Sequence, residues 1–368
     1  MGSIEASFSS TPLPQPWVET SLIYSKALSA AAGCKIHLKL DSEQPSKSFK
    51  SRGIGNLLLH YLKSTNNSAL PHYYCSSGGN AGFACATAAT SLSLPATIVV
   101  PMTTKPLMIN KIRELGDHIN VLQSGKHLEE ADQFLRTECL SKDPNGVHVP
   151  PFDHPAIWAG NATVIDELQT QISHFDSIVC SVGGGGLLIG LIEGLDKYRL
   201  LPETKLIAVE TRGTESLNLS VRNGSLSSLS AIESIATSLG ALQVASRAYE
   251  LSINNDVHSV VVTDAEAACA CVVFWQAENI LVEPACGASI AMCLNGGLRA
   301  AYSHLSDAEF ALLDIVILVC GGSNVTIEML SNWVDYYGSD KEVEGWFENG
   351  KWVGSQSHKA RNNQMNTT

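Results

Sequence analysis

The sequence predicts an α/β fold in which parallel sheets are covered by helices, and three observations carry that prediction. Strand-like and helix-like segments alternate along most of the 368 residues. Several of the strands are continuous apolar runs, and glycine-rich turns follow three of them. Runs such as "ATIVVP" (96–101), "SIVCSV" (177–182) and "DIVILVC" (314–320) belong to strands buried on both faces, a property of parallel sheets rather than of half-exposed antiparallel ones. The composition allows the large core this needs, with 45% of residues hydrophobic and 16% charged.

The elements follow in order. "KIHLKL" (35–40) is a strand, and from Ile54 an amphipathic helix places Ile54, Leu57, Leu58, Tyr61 and Leu62 on one stripe. "HYYCSS" (72–77) is a strand that passes through "GGN" into a helix of small residues. "ATIVVP" is followed by the helix "KPLMINKIRELG" and the strand "HINVLQ". "SIVCSV" leads through four glycines, 183 to 186, into a helix that reaches Leu195, and "KLIAVE" (205–210) is the next strand. "DIVILVC" is the last core strand and ends in "GGSN". Residues 1–16, rich in Ser and Pro, are expected to be a disordered lead-in, and residues 336–368 a polar tail. No internal repeat is seen, and no further domain is expected after residue 340.

Charge and cysteine usage exclude several function classes. With 24 Lys and Arg against 36 Asp and Glu, the net charge is −12. That argues against a nucleic-acid or anionic-membrane partner, so a bound anion must be held by a local site. Residues 64–104 carry no charged side chain, yet Pro71, Pro95 and many hydroxyl residues exclude a membrane span there. Ten cysteines include no C-x-x-C pair, and several sit in apolar runs, which points to buried thiols and a reducing, cytoplasmic compartment. The N-x-[ST] sequences, at Asn161 and Asn324 among others, are then chance matches. The first sixteen residues contain no Lys or Arg and no apolar segment, so neither a signal nor a transit peptide is expected.

The glycine turns "SSGGNAG" (76–82), "SVGGGGL" (181–187) and "CGGSN" (320–324) fall where open α/β sheets bind ligands, at the carboxyl ends of strands. One such turn is as easily tight packing as an anion site. Three, together with Lys47, Lys50 and Arg52 at a helix start, point to a ligand bearing phosphate or carboxylate. Gly184, Gly186 and Gly190 form G-x-G-x-x-x-G, and Glu210 ends the next strand, which together approximate a dinucleotide fingerprint. The spacing is wrong for that motif, and four consecutive glycines suit one compact phosphate better. A lysine at a helix start is penalised when charged, as is a buried one, so Lys50 is a candidate for a neutral, nucleophilic amine able to form a Schiff base with a carbonyl. Lys47 and Arg52 read as solvent-facing or as adding to that field.

In this order and spacing, "PSKSFKSRG", "SSGGNAG", "PPFDHPAIWAG", "SVGGGGLL", "ILVEPACGAS" and "VCGGSN" resemble the fold-type II pyridoxal-phosphate enzymes (tryptophan synthase β-like), and most closely the eukaryotic L-serine/L-threonine dehydratases. The resemblance runs from about residue 17 to 332. It implies two parallel-sheet domains with the cofactor in the cleft between them: a large domain of 17–52 and 148–335, and a small one of 53–147. It also implies that Lys50 is the Schiff-base lysine and the catalytic base. Phe49 then packs on the cofactor ring, Asn80 bonds the ring hydroxyl, and Gly183, Gly184, Gly185 and Gly186 cradle the phosphate. Cys320 partners the pyridine nitrogen. Ser77, Gly78, Asn80 and Ala81 grip the substrate carboxylate. Gly183, Glu210, Thr214, Ser216, Leu239 and Ala241 match a monovalent-cation site, with potassium the expected ion.

The implied reaction is α,β-elimination from L-serine or L-threonine, giving pyruvate or 2-oxobutyrate and ammonia, by a lyase that is expected to be a homodimer. Alternatives on the same fold are a β-replacement or threonine-synthase-like enzyme, in which the residue at 320 is usually Ser or Thr, and a non-catalytic cofactor-binding protein. Two departures stand out. Gly78 replaces the catalytic serine of related serine racemases and has no proton to give. Ser238, before "LG", stands where alanine is common.

Overall fold

A computed structural model describes residues 13–64, 70–337, 345–348 and 351–354. Strands β1 (Leu22–Tyr24), β2 (Lys35–Lys39), β7 (Ser177–Ser181), β8 (Lys205–Thr211), β9 (His258–Val262) and β10 (Asp314–Leu318) form one sheet in the order β1-β2-β10-β7-β8-β9. All its pairings are parallel except that of β1 with β2. Strands β3 (His72–Cys75), β4 (Ala96–Val100), β5 (Ile119–Gln123) and β6 (Gly146–His148) form a second, wholly parallel sheet in the order β5-β4-β3-β6. Most of the expected 1–16 lead-in and much of the expected 336–368 tail lie outside the described residues. Within the latter, Gly345–Glu348 and Lys351–Gly354 pair as an antiparallel ribbon that composition did not signal.

The continuous apolar strands are explained by what covers them. Successive side chains of a strand point to opposite faces, and the larger sheet has a core on each. Val179, Ile207, Ile315 and Ile317 belong to one cluster, while their neighbours Ile178, Cys180, Ala208 and Val316 belong to another. In the smaller sheet Tyr73, Cys75, Ile98 and Val100 face one core, and Tyr74 and Val99 the opposite one. No half-exposed face remains to impose an alternating pattern on these strands.

The helix expected from Ile54 begins earlier, at Lys50, and runs to Ser64. It crosses the helix Pro155–Gln171 at two glycines. A Cβ on Gly53 would lie 2.7 Å from Ile157 Cγ2, and one on Gly160 would overlap the carbonyl oxygen of Arg52. The two backbones therefore pack more closely than any side chain permits, which fixes the start of the Lys50 helix against the larger sheet.

The reading of Arg52 as a solvent-facing or field-supplying cation is corrected by the structure. Its side chain is fully buried. Arg52 Nε and Nη2 donate to Asp41 at 2.8 and 2.7 Å, and its guanidinium also engages both oxygens of Glu167. Lys39, itself buried, donates to Glu167 at 2.5 Å and to Gln171 at 2.8 Å. Lys47, by contrast, is exposed. Removing one member of a buried ion cluster strands the others without partners. Arg52→Ala is therefore expected to cost about 3–5 kcal/mol, read as a fall in the urea midpoint. Lys47→Ala should shift stability by no more than about 0.5 kcal/mol.

Candidate active site

The carboxyl ends of β2, β3, β7 and β10 converge on a cavity of about 440 Å³ between the two sheets. The sequence-expected residues Phe49, Lys50, Ser77, Gly78, Asn80 and Ala81 line it. Gly183, Gly184, Gly185, Gly186 and Cys320 line it too, as do Leu239 and Ala241 of the expected cation set, whereas Glu210, Thr214 and Ser216 lie outside its wall.

Lys50 is held by its neighbours on both sides in sequence. The turn before it is stitched to the segment after β10: Phe49 N donates to Cys320 O at 3.1 Å, Gly322 N to Lys47 O at 2.8 Å, and Ser48 forms a bridge with Gly321. Strand β10 ends at Leu318, so Cys320 sits just past it rather than within a core strand. Lys50 Nζ donates to Pro151 O at 2.5 Å and lies 5.1 Å from the centre of the Phe49 ring. Burial pulls its ammonium down to about 8, with the Cys75 and Cys320 sulfurs opposing. Removal from water thus favours the neutral, reactive amine. A hydrogen bond with Cys286, reinforced by burial, pushes the Cys320 thiol well above the ordinary range, so it is neutral.

Gly183–Gly186 turns from β7 into the helix Gly186–Lys197. Gly185 has φ 87°, in the left-handed region, and a Cβ on Gly184 would overlap the Phe152 ring. The first amides of that helix have no carbonyl to bond within it and face a cradle that only glycine leaves open. A carbonyl-reactive amine, a phosphate-sized nest of amides and a neutral thiol thus surround one cavity, and this set fits pyridoxal phosphate.

Asn80 begins the helix Asn80–Ser91, and its amide is fully engaged. Its oxygen accepts from Ser323 N and Ser323 Oγ, both at 2.9 Å, and its nitrogen donates to Glu283 at 2.9 Å and to Ser238 at 3.3 Å. Ser238 donates to the same Glu283 carboxylate, which also accepts from Asn324 N at 2.8 Å. Glu283 was missed as a site residue. The signal available was a lone acid in the small, uncharged stretch "LVEPACGAS". Pro151 was missed for another reason, because its contribution is a carbonyl that any residue could supply.

Of the expected cation residues, Leu239 and Ala241 line the cavity with Gly183, while Glu210 lies on β8 and Thr214 and Ser216 just after it. Glu210 is fully buried, its two oxygens accept from Leu217 N and Asn218 N at 2.8 Å each, and burial pushes its carboxyl up to about 8. Ser216 Oγ is buried without a hydrogen-bond partner among the described residues. A Cβ on Gly183 would stand 3.0 Å from the Leu239 carbonyl oxygen.

Comparisons with known proteins point to the same cofactor. The family model described as pyridoxal-phosphate dependent enzyme matches residues 13–321. The catabolic L-serine/threonine dehydratase of Saccharomyces cerevisiae is 38% identical over 338 residues, covering 86% of this chain and 92% of that protein. The human L-serine dehydratase/L-threonine deaminase is 41% identical over 322 residues, covering 85% and 93%. Among solved structures, a fungal L-serine ammonia-lyase from Rhizomucor miehei superposes with a TM-score of 0.81 at 34% identity, covering 88% of this chain and all of the other.

The Lys50 amine should be half-neutral near pH 8, against about 10.4 for an ordinary lysine. Acylation by an amine-selective reagent, quantified by peptide mapping, should therefore reach half its limiting rate at Lys50 near pH 8. A half-point above pH 10 would contradict the burial.

Proposed function

The chain belongs to the family of pyridoxal-phosphate dependent enzymes, and on that premise we propose that it deaminates L-serine, L-threonine or both: water leaves by α,β-elimination, and water taken up again in hydrolysis of the resulting imine releases ammonia, giving pyruvate or 2-oxobutyrate. The observation that carries the reading is the Lys50 amine, drawn down to about 8 and held on the Pro151 carbonyl between the glycine turn and the Asn80 helix. When bound, pyridoxal phosphate supplies a carbonyl with which an amine condenses and a ring that draws electrons from the substrate's Cα. The chain supplies the rest.

Lys50 accepts the Cα proton, since an amine with this affinity is free often enough near neutral pH to act as a base. The amides of Gly183–Gly186 hold the phosphate, and Phe49, packed beside Lys50, keeps water from the amine. Ser77, Gly78, Asn80 and Ala81, at a helix N-terminus, hold the substrate carboxylate. Cys320, a neutral thiol, offers the ring nitrogen a hydrogen bond without charge. With the group bound, such a bond would leave the ring nitrogen uncharged, so the electron sink would be shallow and prompt loss of the β-substituent would be favoured. Asn80 can reach the ring hydroxyl by giving up its longest bond, the one to Ser238 at 3.3 Å.

The buried Glu210 carboxylate, the unpartnered Ser216 hydroxyl and the carbonyl oxygens of Gly183, Thr214, Leu239 and Ala241 support a monovalent-cation site, with potassium the fitting ion. A cation placed there would oppose the effect of burial, favour the ionised form of Glu210 and brace the glycine turn from behind. No helix among the described residues is long and apolar enough to cross a membrane. The ten unpaired cysteines support a reducing, cytoplasmic setting, and the family resemblance supports a homodimer.

Purified protein supplied with pyridoxal phosphate should show an absorbance band that Lys50→Ala abolishes, and should release 2-oxo acid from L-serine or L-threonine. No 2-oxo acid from either would defeat the proposal. Potassium chloride should raise the melting temperature above that in tetramethylammonium chloride at equal ionic strength, and Glu210→Gln should remove the difference.

A further inference from the structure

Gly78 lies in the loop after β3, and Thr104 in the turn after the neighbouring strand β4. The two loops meet. A Cβ on Gly78 would overlap Thr104 Oγ1 and would stand 2.6 Å from Thr104 Cγ2 and 3.0 Å from Thr104 Cβ. Residue 78 is thus glycine for a local reason: the space its side chain would take is filled by the hydroxyl and methyl of Thr104.

The surroundings of that hydroxyl suggest its use. Its neighbours have protein partners: Ser76 Oγ donates to Asp132 at 2.6 Å, Ser77 Oγ accepts from Gly79 N at 3.3 Å, and Thr103 Oγ1 donates to Lys126 O at 3.5 Å. Thr104 is tied down through its backbone, N donating to Pro101 O at 3.0 Å, and its Oγ1 has no hydrogen-bond partner among the described residues. Thr104 lines the same cavity as Lys50 and adjoins the loop that leads into the Asn80 helix. The first amides of that helix are free to meet an anion.

We propose that the Thr104 hydroxyl is a substrate-contacting group that donates a hydrogen bond to the carboxylate of the bound amino acid, in the space where residue 78 offers nothing. This rests on the function proposed above. An aliphatic hydroxyl with no base beside it is a donor rather than a proton carrier, so its contribution is to binding and orientation. The pair Gly78–Thr104 then acts as a unit in which one loop gives up its side chain and the adjoining loop provides it.

The test is titration of the pyridoxal-phosphate-loaded enzyme with L-alanine, which has the amine and carboxylate but no β leaving group, following the cofactor absorbance band. Thr104→Val keeps the shape and removes the hydroxyl, and should weaken L-alanine about tenfold, as expected for a lost hydrogen bond to a charged group. Thr104→Ser keeps the hydroxyl and should stay within about threefold of wild type. A readout independent of the cofactor is thermal unfolding of the cofactor-free protein. Gly78→Ser should lower its melting temperature, and adding Thr104→Gly should restore most of the loss. Wild type that yields 2-oxo acid from L-serine and binds L-alanine no better than Thr104→Val overturns this inference alone. Wild type that neither yields 2-oxo acid nor binds L-alanine overturns the proposed function and this inference with it.

Discussion

A guanidinium sealed from water between two carboxylates sets the position of everything that matters in this molecule. Arg52 stands two residues beyond Lys50 on the same helix and reaches Asp41, just past β2, and Glu167, on the crossing helix. With Lys39 it makes a cluster of two cations and two anions that is balanced in charge. Such a cluster contributes little net stability over an apolar core, but it tolerates very little displacement, because each ion is unaffordable without the others. The helix start therefore cannot shift relative to the large sheet. The apparent conflict between cations and a helix N-terminus is resolved differently at each position: Arg52 is neutralised by carboxylates, Lys47 is exposed, and burial lowers the proton affinity of Lys50.

The second constraint spans the two sheets. Asn80, on the helix that follows β3 of the smaller sheet, takes hydrogen bonds from Ser323, just past β10 of the larger sheet, and gives them to Glu283 and Ser238. Lys111 adds a further tie, donating to Ser323 O at 2.5 Å. The cavity is bounded by residues that follow strands of both sheets, so its dimensions depend on these ties as much as on either sheet. A chain of net charge −12 can hold anions here because the attraction is local. It comes from backbone amides at helix starts and from Lys50 and Lys105, which both line the cavity.

Much of this was legible in the sequence, and what was hidden shares a physical cause. The parallel strands showed themselves because burial on both faces demands uninterrupted apolar runs. The glycine turns showed themselves because close approach of backbone demands glycine. Lys50 could be singled out by its place at a helix start between such turns. Arg52 could not be told apart from a surface cation, since its partners Asp41 and Glu167 lie 11 and 115 residues away and neither spacing places them beside it on one helix. The edge strand β1, three residues long and paired antiparallel to β2, is too short to carry a period. The match of Gly78 to Thr104 joins two loops whose neighbourhood exists only once β3 and β4 lie side by side.

The close crossing at Gly160 has an effect on how this enzyme tolerates change. A methyl group there would press on the carbonyl of Arg52, two residues from the reactive amine, although Gly160 is not among the residues lining the cavity. Random mutagenesis scored for catalysis will therefore return alleles at Gly160 that resemble active-site lesions. A map drawn only from ligand distance will misfile them as neutral.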